Sequence, residues 1–124
     1  MSLMGPEYDR IMAYKAKFCS DSRHELEIAM GAWEGRKKNP RLTEAAVEGL
    51  LVALGSIPGV GGILSGIKTA RAQGADAAIR QVYHQALDLT GERTVHQIMD
   101  QAAFKELQAK VRVLVSAVER AAGY

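Results

Sequence analysis

Apolar residues recur along this chain at intervals of three and four, the period of an α-helix, and no stretch of useful length alternates as a strand does. Pro6 is placed as the first residue of a helix, and Tyr8, Ile11, Met12, Phe18 and Cys19 follow on one side of it. This helix is predicted to end near "CSDS", residues 19–22. Ser22 and Glu25 have the spacing of a capping box and predict a second helix, with Leu26, Ala29, Met30 and Trp33 on its inner face. Gly35 and the Asn39–Pro40 step then stop it.

Thr43 is the expected N-cap of the next helix, with Leu42 and Val47 spaced for a hydrophobic staple and an end near Leu54 or Ser56. "IPGVGG" breaks the pattern, which resumes through "ILSGIKTARAQ" as far as Gly74. A helix over Asp76–Leu89 carries Ile79, Val82, Tyr83 and Ala86 on one stripe, with Gly91 as its C-terminal glycine. Thr94 and Gln97 repeat the capping-box spacing at the start of the last helical region.

From Phe104, the positions Leu107, Val111, Leu114, Val118 and Ala121 alternate by three and four, a coiled-coil-like seam. Val95, Ile98 and Ala102 keep that spacing in another register, so a kink or a break between two helices is predicted within Asp100–Ala103. The expected architecture is all-α: a compact bundle of five or six helices with a glycine-rich helix-turn-helix hairpin at its centre. Residues 6–124 are read as a single helical domain, and residues 1–5 as a disordered or extraneous N-terminus.

The segment "GLLVALGSIPGVGGILSGI", residues 49–67, holds no charged side chain in a chain that is 24% charged. Its length would cross a bilayer, but Pro58 and six glycines interrupt the helix that a lipid-exposed span requires, so no integral membrane span is expected. "GGILSGIKT" approaches a phosphate-loop pattern, yet Ile67 intervenes between Gly66 and Lys68, which turns the lysine about 100° away on a helix.

Leu54, Ile57, Pro58, Gly59, Val60, Gly61 and Ser65 occupy the positions of a leucine, an apolar-Pro-Gly-apolar-Gly turn and a following small residue. Residues 54–71 thereby resemble the helix-hairpin-helix motif of DNA repair and recombination proteins. The resemblance implies sequence-independent DNA binding: glycines let the turn approach a phosphate, and N–H groups of the following helix bind the anion. The candidate phosphate contacts are Gly59, Val60, Gly61, Gly62, Lys68 and Arg71, with Arg36, Lys37 and Lys38 from the preceding linker and Trp33 as a stacking surface.

The net charge of +2 does not by itself call for nucleic acid or an anionic membrane. One cysteine, Cys19, excludes an internal disulfide and suits a cytoplasmic setting, and its place on an apolar stripe marks a core residue. Glu92, His96 and Asp100 share a helical face, as do His84 and Asp88, but neither set forms a recognisable metal or catalytic signature. No catalytic residue, metal ligand or cofactor site is assigned. The expected function is that of a non-enzymatic helical interaction module, partnered by a second copy or another protein and self-associating through Phe104, Leu107, Val111, Leu114 and Val118. DNA binding at the hairpin is the alternative, and a hairpin that contacts membranes or a membrane protein is the third reading.

Overall fold

A computed structural model describes residues 5–55, 65–69, 72–91, 95, 98 and 100–123. These residues form an all-helical bundle: α1 (Pro6–Arg36), α2 (Pro40–Gly55), α3 (residues 65–69), α4 (Ala75–Leu89) and α5 (Gln101–Ala122). α5 packs against α1, α2 and α4 and is the element around which the others assemble. Its buried face comprises Phe104, Leu107, Val111, Leu114, Val115, Ala117, Val118 and Ala121. That stripe is wider than a two-stranded seam because three partners share it.

α1 is a single helix of 31 residues, where two had been predicted. Its buried positions, Lys15, Phe18, Cys19, Ser22, Leu26, Ala29, Met30 and Trp33, advance by threes and fours straight through the supposed boundary. Ser22 lies in that stripe and is buried, so continuing the helix keeps both halves in register on the core. Tyr8 and Ile11 fall off the stripe and are exposed, contrary to the expected apolar side.

The Asn39–Pro40 step both ends α1 and starts α2. Asn39 Oδ1 accepts from Arg41 N–H at 3.1 Å, and Asn39 O accepts from Thr43 N–H at 3.1 Å. Asparagine is a strong cap and proline suits the first helical position, so the helix begins one turn before Thr43. Thr43 is consequently a buried residue of the first turn.

α4 matches its predicted span within one residue, entered through Gly74 at φ +119°, a conformation open to glycine. At its other end Thr90 supplies the cap. Its N–H donates to Ala86 O at 3.1 Å, and its buried hydroxyl lies 2.9 Å from the same oxygen. With threonine closing the helix, Gly91 does not take the left-handed conformation expected of it. Arg23 of α1 reaches this same end, donating to Thr90 Oγ1 and Leu87 O at 3.4 Å each, where the helix dipole favours a cation.

The change of register near residue 100 is a helix boundary. Asp100 is extended, at φ −87° and ψ 128°, and its side chain accepts from Ala102 N–H as the N-cap of α5. α5 closes on Gly123 at φ +96°, whose N–H donates to Arg120 O. Among the described residues no helix is long and apolar enough to cross a membrane.

Candidate functional site

The hairpin residues Gly59, Val60, Gly61 and Gly62, together with Arg71, lie outside the described residues. Of the other expected phosphate contacts, Lys68 and Lys38 are exposed. Lys37 is committed to acids: its Nζ lies 2.7 Å from Glu34 Oε2 and 3.6 Å from Asp76 Oδ1. Arg36 lies against Gly123 and lines a cavity of about 200 Å³ together with Arg120, and its buried Nε has no hydrogen-bond partner among the described residues. Trp33 offers no stacking surface. It is 0% exposed, and its indole N–H donates to Asp76 Oδ1 at 2.9 Å.

Glu34, Lys37, Asp76 and Arg80 thus form a charge network over Trp33, joining the end of α1 to the start of α4. Arg80 Nε donates to Asp76 Oδ2 at 2.9 Å, and the guanidinium also pairs with Glu34. The Lys37 hydrogen bond holds the Glu34 carboxyl below its ordinary range, and the same bond raises Lys37. For Asp76, partial burial opposes ionisation, but bonds from Trp33 and Arg80 outweigh it and lower the carboxyl. The Asp76 bond in turn raises Arg80. Every charge here has an opposite neighbour, so the network is structural in character.

The five seam residues Phe104, Leu107, Val111, Leu114 and Val118 are interior, covered by helices of the same chain. The acid-histidine face is not assembled among the described residues: Glu92 and His96 lie outside them, and Asp100 is used as a helix cap. Among the described residues, no group of three or more His, Cys, Asp or Glu side chains could hold a metal ion. Cys19 is a buried core residue.

A concavity with an aromatic floor lies elsewhere, between the first turns of α1 and those of α5. It has a volume of about 440 Å³ and opens to solvent on one side. Phe104 lines it, held edge-on by Tyr14 at 6.2 Å and Phe18 at 5.9 Å between ring centroids. Ile11 and Tyr14 line one wall and remain 40% and 59% exposed. Gln108 Nε2 donates to the Tyr14 hydroxyl at 3.0 Å, which fixes the ring across the cleft.

Lys15, Arg10 and Lys105 also line this cleft, and among the described residues no acidic side chain does. Lys15 is the unusual member, at 7% exposure. Its Nζ donates to Ile98 O at 2.6 Å and stands 5.2 Å from the centre of the Phe104 ring, a cation–π distance. Phe104 was expected from its heptad spacing, but Arg10, Lys15, Gln101, Lys105 and Gln108 were not. The available signal was the surplus of apolar residues, Ile11 and Tyr14, beside the α1 stripe. The chain matches no protein-family model, no curated protein and no solved structure.

Proposed function

We propose that this chain is a non-enzymatic helical binding module whose working surface is the cleft between α1 and α5. One observation carries the reading: the exposed Ile11 and Tyr14 wall a cleft that has the buried Phe104 ring at its floor. Binding sites for small molecules are commonly concave, mostly apolar and set with a few polar groups, at volumes of roughly 300–1,000 Å³. The cleft meets that description at about 440 Å³. Self-association through the 104–118 seam is not part of this reading, because those side chains are interior.

The test is a titration of 15N-labelled protein with 1-octanol, a neutral apolar probe. Amide shifts should concentrate in residues 10–15 and 101–108 and should disappear in Ile11→Asp, a change at an exposed position that leaves the core intact. Absence of shifts, or shifts spread over other faces, would sink the reading.

A further inference from the structure

We infer that the α1–α5 cleft takes a soluble amphipathic carboxylate, with the headgroup among Lys15, Lys105 and Arg10 and the apolar body over Phe104. The inference rests on the cleft being the working surface. It adds the sign and class of the occupant.

Three cations line the cleft, with no acid in its lining among the described residues. Exposed cations alone would say little, but Lys15 is not exposed. Taking an ammonium out of water is costly unless charge or hydrogen bonds compensate it. Lys15 has one carbonyl acceptor, Ile98 O, and the face of Phe104, and no carboxylate pairs with it among the described residues. An ammonium carries three N–H donors, so among the described residues these two partners leave a donor unpaired and the charge without a counterion. A carboxylate entering the cleft supplies what is missing and forms a charge-assisted hydrogen bond in a partly desolvated site.

Polar donors and apolar groups both line the cleft. The Tyr14 hydroxyl accepts from Gln108 and so keeps its own proton to donate. Gln101 adds an amide at the side of the cleft. Donors therefore line the same space as the apolar surface of Ile11, with the Phe104 ring at its floor. A neutral tail satisfies only that surface. A cationic amphiphile meets like charge.

The experiment compares three ligands sharing one tail, sodium octanoate, 1-octanol and octyltrimethylammonium, by calorimetry and by the amide shifts of 15N-labelled protein. Octanoate should bind at one site per chain, about tenfold or more tighter than octanol, and the ammonium should not compete. Its affinity should fall between about 0.05 and 0.5 M salt, as a partly screened charge pair requires. Arg10→Gln combined with Lys105→Gln, both at exposed positions, should weaken octanoate about tenfold and leave octanol unchanged. Lys15→Met, which keeps the length of the stem, should abolish the preference for octanoate over octanol. If Lys15→Met does not fold, the double variant alone decides. Equal binding of octanol and octanoate overturns the carboxylate and leaves the cleft reading standing. Failure of all three ligands overturns both. Binding to vesicles of anionic phospholipid without binding of octanoate also overturns the inference.

Discussion

Trp33 and Asp76 are joined by a hydrogen bond of 2.9 Å from the indole Nε1 to Oδ1, which fixes the last turns of α1 against the first turn of α4. Trp33 has no exposed surface, and Asp76 is the acceptor that its indole N–H loses if the carboxylate is removed. Leaving a buried donor unmade costs about 1–3 kcal/mol, whereas an exposed ion pair contributes about 0–1 kcal/mol. Asp76→Ala should therefore destabilise by about 1–3 kcal/mol in chemical denaturation. Asp76→Asn retains an oxygen acceptor for the indole and should cost clearly less. Equal losses would show that the charge, and not the indole bond, is what Asp76 contributes.

The same cluster sets an acid limit. Glu34 and Asp76 are both held below their ordinary carboxylate range, so their stabilising contribution is complete above that range and is lost as pH falls through and beneath it. Lys37 and Arg80 are raised, and their contribution fades only as pH rises through their own, strongly alkaline, ionisations. Melting temperature should accordingly be level from about pH 6 to 9 and decline below about pH 4.5. Glu34→Gln with Asp76→Asn should melt lower near neutrality and show a shallower acid decline. A parallel decline in both proteins would place the acid sensitivity outside this cluster.

How far the sequence could lead depended on where the relevant contacts lie along the chain. α4 was legible because Ile79, Val82 and Ala86 repeat at helical spacing directly after a glycine. The change of register at Asp100 was legible as a phase jump, and the cap that causes it uses a neighbour only two residues away. Local signals failed at Ser22 and Thr43, where a plausible cap lost to a better arrangement: a core stripe already in phase in the first case, and the stronger Asn39–Pro40 start in the second. The cleft was not legible because it joins residues 10–15 to residues 101–108, a proximity created by α5 docking on α1. A lysine at position 15 reads as a solvated side chain until Ile98 O and the Phe104 ring are beside it.

The burial of the α5 seam gives a direct prediction about folding. Leu114 and Val111 have no exposed surface and face the interior of their own chain. Leu114→Ala should cost about 2–5 kcal/mol, the usual range for truncating a buried leucine. Val111→Asp should abolish cooperative unfolding altogether, since it buries a carboxylate without a partner. A docking face between copies would behave differently: Val111→Asp would then leave a folded chain and lower only the mass measured by sedimentation equilibrium.

Ser22 distinguishes a continuous α1 from two capped helices, because serine acts in opposite directions in the two settings. At an N-cap its hydroxyl satisfies a free backbone N–H, and replacement by alanine costs about 1 kcal/mol. Inside a helix it is a poorer helix former than alanine by up to about 0.5 kcal/mol. Ser22 sits in mid-helix and is buried between Cys19 and Leu26 on the core stripe. Ser22→Ala should thus be neutral or stabilising by a few tenths of a kcal/mol, and Glu25→Ala, exposed on the same turn, should change little. Ser22→Pro should cost about 3 kcal/mol or more, because a proline in mid-helix removes a backbone hydrogen bond and clashes with the preceding turn. Loss of about 1 kcal/mol in Ser22→Ala, with Ser22→Pro tolerated, would mean that the chain breaks at residue 22 after all.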